Sequence, residues 1–246
     1  MRALAFALLT GLPALASAQM ATRQTSAPQP AANSAAAQPA LPAVDPAWKV
    51  SEVIAFMGVK PGNKVADVIG GRLTASLAGA VGPGGKVFAV ETAEVVKAHP
   101  QVLGMMQALA ATARNVVVSA DPVATPLPRG LDIVFIRQNY HDLYDKFMGP
   151  ADVTAFNRSV YAALKPGGVY VVLDHAAAAG SGISATETLH RIDPARVKAD
   201  VLAAGLQWDG ESKVLANPAD DHMKIVFDPS IRGRTDQFLY RFRKPR

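Results

Sequence analysis

Apolar positions along this chain recur with two periods, and the switching between them outlines the fold. In PAWKVSEVIAFMG (46–58), Val50, Val53, Ile54 and Met57 fall on one helical face, with Pro46 suited to the first turn and Gly58 to the stop. KVADVI (64–69) is a short apolar run of strand type. Leu73, Leu77, Ala80 and Val81 again share a face, which predicts a helix over 72–81 closed by Gly82-Pro83. KVFAVE (86–91) reads as strand and 93–113 as helix interrupted at Pro100, because proline cannot donate to the helical ladder. NVVVS (115–119) and LDIVFI (131–136) are strands. The helix expected over 152–164 ends at Lys165-Pro166-Gly167-Gly168 and leads into the strand VYVVLD (169–174). A last helix over 194–205 starts from Asp193, a good N-cap, and stops at Gly205. Two more polar strands follow, 206–212 and 236–243.

Strand and helix alternate, and the first five strands are apolar on both faces. Such strands belong to a parallel sheet with helices on both sides. The two late strands alternate in polarity and suit an edge hairpin. The expected fold is α/β: a Rossmann-like, doubly wound, mostly parallel seven-stranded sheet with an antiparallel C-terminal edge hairpin. In such sheets a ligand lies outside the carboxyl ends of the strands, at the switch point of strand order. Five strand ends are thereby brought together: Ile69-Gly70-Gly71, Glu91, Ser119 to Asp121, Arg137 to Asp142, and Asp174-His175.

Composition sharpens this picture at a few points. The chain has 246 residues, half of them hydrophobic, enough for a large core. Its net charge of +5 comes without a Lys/Arg block or an aromatic-interleaved basic run, so no nucleic-acid partner is expected. The absence of cysteine excludes disulfides, thiolate metal sites and a Cys nucleophile. Residues 1–18 have a basic start, an apolar stretch and the ending Ala16-Ser17-Ala18, the pattern of a signal peptide cleaved before Gln19. That stretch is broken by Gly11 and Pro13 and is too short for a good membrane span, and no Cys follows it for lipidation. The expectation is a periplasmic or secreted protein with no stable membrane anchor after cleavage. Residues 19–44, rich in Ala, Pro and Gln, read as a disordered linker, and the folded domain runs over 45–246.

Four stretches carry a family resemblance: VADVIGG (65–71), VGPGGKVFAVE (81–91), DIVFIRQNYHDLYD (132–145) and ALKPGGVYVVLDHAA (163–177). In order and spacing the chain resembles the class I S-adenosylmethionine-dependent methyltransferases. More narrowly, it is similar to a bacterial group of predicted methyltransferases, many with signal peptides. The resemblance implies S-adenosylmethionine as cofactor. It implies that Gly70 and Gly71 let the backbone approach the methionine part, that Glu91 accepts from the ribose hydroxyls, and that Asp121 contacts the adenine amino group. It places Asn139, Tyr140, His141 and Asp142 on the methyl-accepting side. Asp67 either supports the ligand or caps the loop structurally, and both readings stand. The glycine loop is shorter than the family's and carries Ile69, whose branched side chain is poorly suited to positive φ.

Among the remaining polar residues, His141 with Asp142 is the candidate for acid–base chemistry, since histidine titrates near neutrality. Adjacent residues rarely point the same way, so Asp142 is not required to be its partner. Asp174-His175 is a second candidate, and His190 is expected to serve local structure near Asp193-Pro194. No tight ligand spacing is present, so no metal is expected. A nucleophile elbow and a phosphate loop are both missing from the sequence. Two functions remain: methyl transfer to an unidentified small-molecule acceptor, or an exported, degenerate methyltransferase-fold protein that binds another ligand or partner without catalysis. The oligomeric state is left open.

Overall fold

The computed structural model describes residues 45–246. The expected signal peptide (1–18) and linker (19–44) lie outside the described residues. Helix α1 (Val50–Met57) follows a 3-10 turn, Pro46–Trp48. Lys49, at φ 44°, separates them, so the single helix expected over 46–58 is in two pieces. Next come β1 (Lys64–Val68), α2 (Thr74–Val81) and β2 (Lys86–Thr92). The helical stretch after β2 divides at His99-Pro100 into α3 (Ala93–Ala98) and α4 (Gln101–Thr112), as the proline requires. The chain continues through β3 (Val116–Asp121), β4 (Leu131–Arg137) and α5 (Val153–Ala163), the last capped by the Asp152 carboxylate. Then follow β5 (Leu164–His175), the short α6 (Thr186–Leu189), α7 (Pro194–Ala203), β6 (Gln207–Ser212) and β7 (Gln237–Arg243).

The strands form one sheet in the order β3-β2-β1-β4-β5-β7-β6. β1 to β5 are parallel, while β7 runs antiparallel between β5 and β6. β5 starts five residues earlier than expected. Gly168 makes that possible: a Cβ there would stand 3.2 Å from the carbonyl oxygens of Leu131 and Asp132. Two cores cover the sheet. Ala66 and Val68 of β1 pack toward α5 and α7, with Phe156, Val160, Val197 and Val201. Val65 packs toward α1, α2 and α4, with Val53, Leu77 and Met106. This is why the parallel strands read as continuous apolar runs.

Two connections shape the carboxyl end of the sheet. The link from β3 to β4 holds Pro122, Pro126 and Pro128 and forms no helix, so it lies as loop beside β2 and β3 over the edge of the core reached by Phe156. The link from β6 to β7, residues 213–236, is long and returns to the end of β5. No helix among the described residues is long and apolar enough to cross a membrane.

Candidate functional site

A cavity of about 310 Å³ opens at the carboxyl ends of β1, β2, β4 and β5. Its walls include Asp67, Gly70, Gly71, Glu91, Asn139, His141 and Asp142, so seven of the nine expected site residues meet there. The volume lies at the lower end of the ~300–1,000 Å³ usual for ligand pockets.

The glycine loop is held by polar contacts underneath. The Asp67 carboxylate accepts from Thr74 Oγ1 at 2.5 Å, and that oxygen in turn accepts the Gly71 N–H at 3.2 Å. Burial pushes the Asp67 carboxyl up, against the lowering effect of Thr74, the Gly71 N–H and Arg137. Gly70 lies directly over this carboxylate: a Cβ would meet it at 2.4 Å. Asp67 therefore supports the loop and also faces the cavity.

Ile69 does take the positive φ its branching disfavours, at 49°. Its N–H donates to the Val90 carbonyl at 2.7 Å, and its own carbonyl accepts from Asn139 Nδ2 at 2.7 Å. Its side chain is 4% exposed and packs in the core with Val68 and Tyr140. A left-handed residue costs ~1–2 kcal/mol, while burying an isoleucine contributes ~1.5–3 kcal/mol. Burial outweighs the strain. Asn139 also bonds the Arg137 carbonyl, so it ties the β1 loop to the end of β4.

Glu91 is the notable polar group of the site. It is fully buried, and neither carboxylate oxygen has a hydrogen-bond partner. Burial, reinforced by the nearby Asp67 carboxylate, pushes its pKa up to about 8; the Gly70 N–H lies near enough to offset this in part without meeting hydrogen-bond geometry. An unpaired buried acceptor costs ~1–3 kcal/mol, more when charged, so it calls for a donor from outside the fold.

Two expected residues go elsewhere. Tyr140 is fully buried in the core, where its hydroxyl accepts from Asn157 Nδ2 at 2.8 Å, and it does not line the cavity. Its place in the motif beside Asn139 did not distinguish the inward from the cavity-facing position. Asp121 is exposed on the rim of a second cavity, of about 240 Å³, under the proline-containing β3–β4 link. Glu91 borders both cavities.

On the far wall, β5 and a 3-10 turn (His141–Tyr144) set a histidine–carboxylate group. Asp174 accepts from the His141 backbone N–H at 2.9 Å and faces His141 Nδ1 at 2.9 Å. His141 Nε2 lies 3.1 Å from Asp142 Oδ1, so these neighbours do pair. Burial alone would depress the His141 pKa; Asp174 and Asp142 overcome it and hold it up, to about 10. His175 turns instead to Thr235 Oγ1, at 2.8 Å, and burial holds its pKa low.

His190 joins this group, beyond the local role expected for it. Its Nδ1 stands 3.3 Å from His141 Nε2. The backbone at His190 is left-handed, φ 53°. The next residue, Arg191, is fully buried and pairs with Asp220 at 2.9 Å while donating to the Ala176 and Lys224 carbonyls. That pair anchors the β6–β7 link beneath His190. No sequence spacing pointed to His190, because a buried ion pair far along the chain positions it.

Arg137 was also not singled out. Its guanidinium lines the cavity, stacks 4.7 Å over the Trp48 ring, and leaves Nε without a partner. Burial, with Arg72 nearby, lowers its pKa to about 10 despite Asp67 and Asp174.

No protein-family model matches the chain, and no curated protein matches it in sequence. Solved structures do match in fold. A SAM-dependent methyltransferase from Aquifex aeolicus is 19% identical, with TM-score 0.56 over 82% of this chain and 94% of that one. The N-methyltransferase NodS from Bradyrhizobium japonicum WM9 is 12% identical, with TM-score 0.54 over 82% and 98%. The cyclase SpnF is 16% identical, with TM-score 0.55 over 81% and 80%. The chain thus has the Rossmann-like fold of the class I S-adenosylmethionine-dependent methyltransferases.

Proposed function

We propose that this protein binds S-adenosylmethionine across the Glu91 cavity and transfers its methyl group to a small acceptor. The observation that carries this reading is Glu91: a fully buried carboxylate at the end of β2 whose two oxygens have no partner. A ribose diol offers two O–H donors to this group, which is acceptor-only once ionised. The glycines fit as well, since Gly70 and Gly71 expose backbone on the same wall.

Each part of the cofactor has a matching surface. The Arg137 guanidinium, with its unpartnered Nε, suits the carboxylate of the methionine part. The base fits the second cavity, lined by Val90, Pro126 and Phe156 with Asp121 on its rim. When bound, the cofactor supplies an electrophilic sulfonium methyl for in-line displacement. The protein's task is then positioning. Asn139 fixes the loop over Ile69, and His141, Asp142 and His190 form the polar wall opposite Gly70 and Gly71. Phe147 and Phe227 add an apolar wall, which favours an acceptor with an aromatic or aliphatic body.

Calorimetric titration with S-adenosylmethionine and S-adenosylhomocysteine tests this. Micromolar affinity, about −8 kcal/mol, is expected, and Glu91→Ala should remove it from a protein that still folds. Absence of heat for both ligands with folded protein would instead favour a fold kept for another ligand. We further propose export, with the mature chain beginning at Gln19; N-terminal sequencing of the protein from its host checks this, and a cytosolic form starting at Met1 would refute it.

A further inference from the structure

The polar wall opposite the glycine loop holds more donor atoms than methyl transfer needs. His141 Nε2, His190 Nδ1 and a carboxylate oxygen each from Asp142 and Asp145 all lie within 4.8 Å of one another. Three of the edges are 3.1 Å from His141 Nε2 to Asp142 Oδ1, 3.3 Å from His141 Nε2 to His190 Nδ1, and 3.9 Å from His190 Nδ1 to Asp142 Oδ1. Metal bonds of ~2.0–2.2 Å put neighbouring donors of a tetrahedral ion ~3.3–3.6 Å apart. The protein holds these donors within a few tenths of an ångström of that spacing along the three edges given, and all four within 4.8 Å.

We propose that His141, His190, Asp142 and Asp145 bind one first-row divalent transition-metal ion, zinc(II) above all, on the acceptor side of the cavity.

Three independent features support it. First, His141 faces carboxylates from both ring nitrogens. Nδ1 meets Asp174 at 2.9 Å, so Nδ1 carries the hydrogen, and Nε2 is left turned toward Asp142 Oδ1. A proton on Nε2 bridges this pair when no metal is bound, and a divalent cation would take that proton's place between the imidazole and Asp142. A carboxylate behind the far nitrogen of a histidine is also the usual support for a metal-bound imidazole. Second, Asp145 is 2% exposed, and its Oδ1 has no hydrogen-bond partner. An ion would satisfy it. Third, His190 is held in a left-handed backbone beside the buried Arg191–Asp220 pair, and its ring packs at a tilt against Phe227, centroids 5.0 Å apart. Strain of ~1–3 kcal/mol persists where the surroundings fix a side chain for use.

Two imidazoles and two carboxylates form a borderline donor set, suited to zinc, manganese, iron or cobalt rather than to calcium or magnesium. His141, Asp142 and His190 line the cavity while Asp145 does not, so an acceptor would reach the ion from the cavity side as a fifth ligand or in place of Asp145. An ion there would polarise an acceptor hydroxyl bound at that side. This catalytic consequence rests on the proposed methyl transfer; metal binding does not.

The test is titration of metal-stripped full-length protein with Zn²⁺, and separately with Mn²⁺ and Mg²⁺, in the absence of S-adenosylmethionine. One equivalent of Zn²⁺ is expected, with micromolar or tighter affinity and Mg²⁺ at least 100-fold weaker. His190→Asn tolerates the left-handed backbone and should weaken Zn²⁺ at least tenfold, as should Asp145→Asn, with circular dichroism confirming the fold of each. His222→Ala removes a histidine outside the group and should leave the affinity unchanged. Failure to bind a stoichiometric ion would overturn the proposal and leave His141 as an imidazolium between its carboxylates. Binding unchanged by both His190→Asn and Asp145→Asn would overturn it too. Neither result bears on cofactor binding, which is read separately with S-adenosylhomocysteine.

Discussion

The Asp67 carboxylate occupies the space that a Cβ on Gly70 would need, at 2.4 Å. It cannot swing aside freely, because Thr74 holds it at 2.5 Å. Gly70→Ala should therefore shift the loop, costing ~1–3 kcal/mol as overpacking does. Denaturant midpoints should fall, and affinity for S-adenosylhomocysteine should drop at least tenfold.

Glu91 makes the stability of the ligand-free protein depend on pH. Its carboxyl has an ordinary value of 4.5 when unfolded and about 8 in the fold. Below pH 4.5 both states hold the proton and folding carries no charge penalty. Above it the unfolded chain ionises first, so stability falls as pH rises, and the loss is complete above about pH 8. Melting temperatures from pH 5 to 9 should decline more for the wild type than for Glu91→Gln. Parallel curves would remove Glu91 as the cause.

Ligand binding should show the opposite trend. A ribose diol is held best by the ionised carboxylate, so binding near neutrality expels the Glu91 proton. Affinity should rise with pH, approaching tenfold per unit below about 8, and flatten above it. Calorimetry in buffers of different ionisation enthalpy should detect close to one proton released at pH 6.5. No buffer dependence would show that the ligand does not engage Glu91.

Ile69 is strained and useful at once. Glycine relieves the left-handed backbone but empties its place beside Val68 and Tyr140. Cavity costs of ~2–5 kcal/mol exceed the strain relieved, ~1–2 kcal/mol. Ile69→Gly should lower stability by up to ~4 kcal/mol, the upper end of the difference of those two terms, and should not improve cofactor affinity. A large gain in affinity would mark the isoleucine as a defect in the loop.

The fold was readable because strands buried on both faces leave unbroken apolar runs, as in LDIVFI, and because glycine and proline mark the stops. The strand ends followed from the parallel sheet itself, which is why Glu91 and His141 were expected at one end of it, where both line the cavity. Direction within a motif was not readable. Asn139, Tyr140 and His141 are consecutive, yet Tyr140 points into the core while its neighbours face the cavity. Distant partners were hidden as well. Asp145 and His190 are 45 positions apart in the numbering, and a left-handed turn pinned by Arg191 brings them together. Arg137 closes an apolar strand and reads as an ordinary strand end, although its guanidinium faces the cavity.

β7 sits between β5 and β6, so the sheet cannot be completed in the order in which its strands are made. A ribosome releasing this chain exposes the edge of β5, and then an unpaired β6, until Gln237 to Arg243 emerge. Unpaired strand edges invite pairing with other chains. Any pause or stop in synthesis before Gln237 leaves a nascent protein with its last edge unpaired, a form open to edge-to-edge association.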